Sequence, residues 1–471
     1  MNKAFKAIWS DVRQSFVTTS EIQSSHGKRS KASVSLSVAT VLLATSGLVS
    51  AAYVETGTLG DKASWETAEY NYNWGLGAMN ASSAYALGFY GQNTTTGVMD
   101  SGAWLGNPDL DTPRITATHV TGVYGSSGNR YPQSIYATLQ KGVVPTAAEG
   151  QPFTEGEEFD VKGDYTLGLN DAHGTQVTGV IGAERNGEYG HGVAFKANVV
   201  VGNTGATDNN NYGPFQDYNY YFKGYKALAD AVNAGNGEYR GGMVNNSYGT
   251  NTKIYSSGGH RLTPDEMSEL LAGSGNYDRA SAAYAVTFSG DYSFLGLNDV
   301  PGADQYSTNP SAFEWEYMYF KLKYGDKPSF LDGAYDAVKG TNVILSWAAG
   351  NQDRGTPYLK GLYPYFHPEA EKNWLNAVGV MQTRGDNDQY MQATYCKAGL
   401  AKWWSMSGPT AYPGIGTTYV TTDLENGRLT TTGFNGTSAS DPQISGAFTV
   451  LQSRYPSMTA IQVKDVMYTT A

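Results

Sequence analysis

The stretch Gly433-Phe434-Asn435-Gly436-Thr437-Ser438-Ala439-Ser440-Asp441-Pro442-Gln443-Ile444-Ser445-Gly446-Ala447-Phe448 organises the chain. It reads as a tight glycine turn feeding a helix that runs to about Arg454. Ser438 falls at the start of that helix. The first backbone N–H groups there lack intrahelical acceptors and carry the positive end of the macrodipole. Such a position stabilises the oxyanion that forms when a serine attacks a carbonyl. A serine alone is a weak nucleophile. It needs a base, and the base needs an orienting carboxylate. The competing reading is a capping serine, a common choice at helix N-termini. Segments elsewhere decide between the two.

The carboxylate candidate closes Thr95-Thr96-Gly97-Val98-Met99-Asp100-Ser101-Gly102, a short buried strand ending in an acid and a glycine turn. Open α/β sheets place their sites at the carboxyl ends of parallel strands. Taken alone, Asp100 is as well read as a turn former. The base candidate is His173, within Asn170-Asp171-Ala172-His173-Gly174-Thr175-Gln176-Val177-Thr178-Gly179-Val180-Ile181. Val177, Val180 and Ile181 predict a tightly packed helix, and an imidazole held at its N-terminus can exchange a proton near neutral pH. The alternative is a histidine that merely caps. Asn342-Val343-Ile344-Leu345-Ser346-Trp347-Ala348-Ala349-Gly350-Asn351 reads as a buried strand ending in small residues and an amide. Asn351 is either a donor to an oxyanion or a turn residue.

Between these segments, helical and strand patterns alternate. Gly192–Val201 reads as a turn and a buried strand, Phe222–Ala234 as a helix and Gly242–Gly249 as another strand ending in small residues, the signature of a parallel sheet with right-handed crossovers. Further strands are expected at Asn376–Met381, Lys402–Pro409 and Thr418–Thr422, and a closing amphipathic helix over 457–469. Residues 103–165 and 250–335 break the rhythm and read as insertions. The second carries an expected helix at Thr263–Leu271, and Asp332–Lys339 reads as helical again.

Composition narrows the partners. The chain has 471 residues, 57 Gly, 35 Tyr and only 16% charged residues, which suits a loop-rich exported protein. Net charge is −11, and the first 52 residues are basic, so the body is more acidic still. An acidic body argues against nucleic acid or an anionic membrane as partner. The single cysteine, Cys396, excludes an intramolecular disulfide and reads as structural. With six His and no H-x-x-x-H pair, a zinc site is disfavoured. The run Asp208-Asn209-Asn210-Asn211 reads as a turn, with calcium the one ion it invites. No cofactor is expected otherwise.

Residues 1–31 are polar and basic, an apolar run follows from about Val34 to Val49, and Val49-Ser50-Ala51-Ala52 makes a small-residue cleavage site. This is a secretory signal, with an apolar core too short to span a bilayer. The expected organisation is therefore a signal over 1–51, an N-terminal arm over 52–92 and a catalytic domain over 93–471. The arm should contain a short helix at Ala81–Leu87 capped by Asn80 and should pack on the core.

Three motifs in chain order, Val98-Met99-Asp100-Ser101-Gly102, His173-Gly174-Thr175-Gln176-Val177-Thr178-Gly179 and Gly436-Thr437-Ser438-Ala439-Ser440-Asp441-Pro442, resemble those of the subtilisin-like serine proteases, the subtilase family. A fourth, Ala348-Ala349-Gly350-Asn351, is similar to that family's oxyanion segment. The resemblance implies a three-layer α/β sandwich with a mostly parallel central sheet. It implies that Ser438 is the nucleophile, His173 the base, Asp100 its orienting carboxylate and Asn351 an oxyanion donor. By the same resemblance Ser247-Tyr248-Gly249 pairs with the backbone of a protein or peptide substrate, while Trp347, Ala348, Ala349 and Gly350 line the adjoining pocket. Two departures stand out: Ala439 replaces the family's usual Met, and Asp441 replaces a small residue. A carboxylate so near the helix start suits the dipole but opposes an oxyanion.

Met1-Asn2-Lys3-Ala4-Phe5-Lys6-Ala7-Ile8-Trp9-Ser10 resembles the extended signal peptide of Gram-negative type V secretion, the autotransporter family. Ser64-Trp65-Glu66-Thr67-Ala68-Glu69-Tyr70 and Trp74-Gly75-Leu76 are similar to the start of autotransporter subtilase passengers. This resemblance implies export to the periplasm and then to the cell surface or beyond, with an outer-membrane β-barrel translocator as partner. Such a barrel needs many alternating strands, and the chain up to Ala471 lacks them. Two functions are expected from this reading: an exported serine endopeptidase, or a catalytically weak adhesin on the same scaffold. A lipase-type hydrolase would need the order Ser, Asp, His and a second glycine after the serine, and both are missing.

Overall fold

The computed structural model describes residues 5–10, 15–20, 53–129, 152–164, 172–204, 217–248, 327–351, 355–382, 390–410, 419–423, 428–431 and 433–470. The chain divides into two units, Met1–Ala52 and Tyr53–Ala471. In the first, β1 (Phe5–Ser10) pairs antiparallel with β2 (Ser15–Ser20). The apolar run at 34–49, the turn at 208–211, Gly249 and the helix expected at 263–271 lie outside the described residues.

The second unit is built on an eight-stranded sheet. Its strands are β3 (Thr95–Asp100), β4 (Ile115–Ala117), β9 (Asn198–Asn203), β10 (Gly242–Asn246), β11 (Val343–Ala348), β12 (Trp374–Gln382), β13 (Tyr390–Gln392) and β14 (Ser405–Pro409). The order is β13-β12-β11-β10-β3-β9-β4, with β14 also on β12, and every pair but β12–β13 is parallel. Short antiparallel pairs decorate it: β5 (His119–Val123) with β8 (Glu158–Lys162), β6 (Gly128–Asn129) with β7 (Pro152–Phe153), and β15 (Tyr419–Asp423) with β16 (Arg428–Thr431). The region expected to be all insertion thus adds an edge strand. Only Ile115 of β4 is buried, so a three-residue strand there leaves no apolar periodicity to read.

Nine helices are described. They are α1 (Ala68–Tyr72), α2 (Trp74–Ala78), α3 (Ala81–Ala86), α4 (His173–Gly182), α5 (Tyr218–Asn236), α6 (Phe330–Val338), α7 (Leu359–Phe366), α8 (Thr437–Arg454) and α9 (Ala460–Thr470). Side chains alternate across a strand, and the core shows it. Met99, Val244 and Leu345 join one apolar cluster with Tyr221, Tyr225, Leu228 and Phe330 of α5 and α6. Their strand neighbours Val98, Met243 and Ile344 face the other way, against Val177, Val180 and Ala439, and against Ile444, Phe448 and Val463. The result is the expected three-layer α/β sandwich, with α5 and α6 on one face and α4, α8 and α9 on the other.

Capping chemistry sets several boundaries. Asp217 accepts from Tyr220 N–H, starting α5 ahead of Phe222, where apolar spacing alone placed it. Ser329 and Asp332 form a reciprocal capping box on α6. Asn80 holds the N-cap position of α3 as expected, but its side chain makes no bond to a backbone N–H: it sits in the left-handed region (φ 56°), and its Oδ1 accepts from Ser83 Oγ. The segment from Lys402 is a 3₁₀ turn, Gly399–Trp404, before β14 begins.

The N-terminal arm packs Trp65, Tyr70 and Tyr85 against Phe195. Each such ring contributes roughly 1.5–3 kcal/mol by leaving water. Arg185 stacks its guanidinium 4.9 Å from the Trp65 ring and pairs with Glu55 at 3.3 Å.

Candidate active site

Asp100 ends β3 at the middle of the sheet, where successive strands are added first on the β9 side and then on the β10 side. Open sheets place their crevice at such a reversal. The carboxylate is fully buried. Its Oδ1 accepts from Ser101 N–H at 2.8 Å and from His173 Nδ1–H at 2.8 Å. A carboxylate only accepts, so the hydrogen is on Nδ1, and Nε2 is the basic nitrogen of the neutral ring.

His173 is the first residue of α4. The helix start is tied to the turn after Asp100: Gly174 N–H donates to Ser101 Oγ at 2.9 Å, and Trp104 N–H donates to Thr175 Oγ1 at 3.0 Å. Backbone meets backbone there. A Cβ on Gly174 would stand 2.1 Å from Gly102 O, and Gly102 itself has φ +84°. Glycine at 174 is what lets His173 come within reach of Asp100.

Ser438 is the second residue of α8, after the N-cap Gly436 at φ +81°. It is not the cap, so the capping reading of Ser438 does not apply. Its Oγ donates to Ser247 O at 2.5 Å. The turn before it is held from three sides. Thr410 Oγ1 donates to Gly436 O at 2.7 Å, Asn351 Oδ1 accepts from Thr437 N–H at 2.8 Å, and Gly350 N–H donates to Thr437 Oγ1 at 2.9 Å. Phe434 sets its ring at 80° to His173, with centroids 5.2 Å apart, so the α4 start abuts the segment leading to Ser438.

Asn351 follows β11. Its Oδ1 also accepts from Thr437 Oγ1 at 3.0 Å, so the amide oxygen is held against the start of α8. Ala348 ends β11. The carbonyls of Ala349 and Gly350 are already used, accepting from Tyr358 N–H at 2.9 Å and Cys396 N–H at 3.0 Å. Trp347 does not line a pocket, contrary to expectation. It is wholly buried, stacked on Trp374 at 5.4 Å and edge-on to Tyr248 at 5.7 Å. The reason is strand alternation, which turns Trp347 to the α5 face when Ser346 faces α8. Ser247 and Tyr248 follow β10 and are buried. The Tyr248 hydroxyl hydrogen-bonds that of Tyr225 at 2.7 Å, and burial raises both phenols well above their ordinary range.

Residues 91–471 match the model of the subtilase family, peptidase S8. The chain belongs to the subtilase family. Residues 1–50 match the extended signal peptide of the type V secretion system, and this subtilase is exported to the cell surface or the extracellular space. It is 25% identical over 440 residues to an extracellular serine protease of Serratia marcescens, covering 89% of this chain and 33% of that protein. The subtilase thus spans about a third of that relative's length. It is 33% identical over 135 residues to serotype-specific antigen 1 of Mannheimia haemolytica, covering 28% of this chain and 14% of that protein. The nisin leader peptidase of Lactococcus lactis superposes with a TM-score of 0.43 at 16% identity, covering 84% of this chain and 88% of that one. At that level the superposition adds nothing to the family match.

The subtilase's Asp441 is the feature whose bonding the sequence did not disclose. It is the fifth residue of α8 and is fully buried. Its Oδ1 accepts from Ser346 Oγ, and its Oδ2 accepts from Asn246 N–H at 3.3 Å and Ser247 Oγ at 3.4 Å. It points into the sheet rather than at the helix's free amides. Burial, the largest influence, pushes its carboxyl up to about 7, against the pull of these three donors. No group of His, Cys, Asp and Glu able to hold a metal ion occurs among the described residues.

Proposed function

We propose that this chain is a serine endopeptidase that hydrolyses peptide bonds through Asp100, His173 and Ser438 by way of an acyl-enzyme. The observation that carries this reading is the 2.8 Å bond from His173 Nδ1 to the buried Asp100 at the sheet's reversal point. It leaves Nε2 to take the Ser438 proton as Oγ bonds to the substrate carbonyl carbon. The same nitrogen then returns that proton to the leaving amine as the C–N bond breaks. Water, deprotonated by His173, attacks the ester carbon, and His173 returns that proton to Ser438 Oγ as the C–Oγ bond breaks and the acid product leaves. Asp100 holds the tautomer and stabilises the imidazolium. The oxyanion is met by Ser438 N–H at the positive end of α8 and by Asn351 Nδ2.

The substrate is a protein or peptide laid as an added strand along Ser247, Tyr248 and Gly249, with Ala348, Ala349 and Gly350 at the adjoining pocket. These side chains carry the chemistry without a cofactor. The export signal points to an outer-membrane β-barrel translocator as the partner in secretion.

The test is labelling of the purified chain with a fluorophosphonate, beside Ser438→Ala. Labelling that disappears in the variant supports an activated nucleophile. A folded chain that takes no label points instead to a binding domain on a subtilase scaffold.

A further inference from the structure

Resting on the protease reading above, we propose that Asp441 is a positioning residue for the nucleophile. Its carboxylate clamps the ends of β10 and β11 to α8 and thereby places the Ser247 carbonyl that Ser438 addresses.

The contacts close a ring. Ser438 and Asp441 are three residues apart and share one face of α8. Ser438 Oγ reaches Ser247 O at 2.5 Å, while Asp441 Oδ2 lies 3.4 Å from Oγ of the same Ser247 and 3.3 Å from the preceding N–H of Asn246. Asp441 Oδ1 takes Ser346 Oγ on the neighbouring strand. A small residue at position 441 is too short to bridge a helix to donors on two strands. Only an acceptor with two oxygens satisfies all three.

The Ser247 hydroxyl has one hydrogen and two acceptors, Asn245 Oδ1 at 2.9 Å and Asp441 Oδ2 at 3.4 Å. An ionised Asp441 pulls that hydrogen toward itself. A protonated Asp441 releases it to Asn245 and can itself donate to Ser247 Oγ. The charge on Asp441 therefore selects the arrangement beside the nucleophile. Asn246 of β10, Ser247 just after it and Ser346 of β11 donate to it, with Asn245 behind Ser247. The titratable side chains bearing on it are Asp100 of β3, which holds His173 of α4, and Tyr225 of α5. Burial of the carboxyl puts this switch within the working range of a histidine base.

The experiment compares wild type, Asp441→Asn, Asp441→Ser and Asp441→Ala for the rate of fluorophosphonate labelling and for kcat and KM on a casein-derived peptide, from pH 5 to 9. Folding is checked by circular dichroism. Wild type should show an inflection near pH 7 in addition to that of the histidine, and Asp441→Asn should lack it. Asp441→Ala should lower kcat roughly tenfold or more, with a smaller change in KM, because a charge-assisted set of hydrogen bonds is lost. Asp441→Ser keeps a hydroxyl able to meet one of the three donors, so it reads the effect even where Asp441→Ala fails to fold. Folded variants that label and turn over at wild-type rates, with the wild-type pH profile, overturn the role of Asp441 while leaving the protease reading intact. A wild type that takes no label overturns both.

Discussion

Ser438 Oγ lies 2.5 Å from Ser247 O and donates its hydrogen there. In the resting chain the Ser438 hydroxyl is therefore turned to a strand end. That carbonyl belongs to the edge along which a substrate backbone is proposed to pair, so substrate and nucleophile compete for one acceptor. A bound peptide N–H that takes the carbonyl releases the hydroxyl toward His173. A peptidyl phosphonate should accordingly label Ser438 faster than a small alkyl phosphonate, by roughly a hundredfold or more, since binding energy is spent on the reacting geometry. Equal second-order rates for the two reagents would show that the hydroxyl needs no release.

Asn351→Ala removes a donor proposed to face the oxyanion and also the acceptor for Thr437 N–H. Loss of one such donor costs about 10²–10³ in kcat. The expected result is a fall of that size in kcat with KM changed only slightly, and a lower Tm from the unpaired Thr437 amide. A variant that loses KM alone places Asn351 in substrate binding instead.

Two buried groups should give opposite pH trends in stability. Asp441 binds its proton near pH 7 when folded and near pH 4 when unfolded. Its contribution is full below about pH 4 and is lost as pH rises toward 7. His191, buried among Tyr70, Tyr85 and Phe195, is pushed down to about 3 by burial. Its contribution is present above the unfolded value and is lost as pH falls toward 3. Each term has a slope near ~1.4 kcal/mol per pH unit where it is steepest. Relative to wild type, Asp441→Asn should gain stability from pH 4.5 to 8, and His191→Asn should gain as pH falls from 7 to 4.5. Urea melts at both ends of that range read each difference directly, and parallel curves would contradict the assignment.

Arg185 has a wholly buried side chain between Glu55, Glu69 and the Trp65 ring. Burial raises the Glu69 carboxyl, and Arg185 opposes that shift. Arg185→Ala leaves Glu69 buried without its cation, at a cost of about 3–5 kcal/mol. Denaturant melts should show this loss, and limited proteolysis should cut the arm near residues 53–66 sooner than in wild type.

Much of the candidate site was legible because each residue proposed for it stands beside a local mark. Asp100 closes a buried strand before a glycine turn, His173 opens a helix of small residues, and Ser438 follows a glycine at a helix start. These marks are short-range, arising from strand periodicity, from caps and from the need for glycine where φ is positive. The edge strand β4 and the start of α5 were not legible. The first is three residues long with one buried side chain, and the second depends on a cap at Asp217 outside the apolar pattern.

By itself the sequence determined the order Asp100, His173, Ser438, the alternation of helix and strand, and the export signal, since all of these are properties of neighbouring residues. Only the tertiary structure decided that Trp347 turns away from the cleft, that Ser438 rests on Ser247, and that Asp441 bonds to two strands. Those outcomes depend on which groups from distant segments share a low-dielectric space. There a donor takes the acceptor that packing brings within 3.5 Å, and a carboxylate that the linear order marks only as a departure becomes a buried hub whose proton is held to near neutral pH.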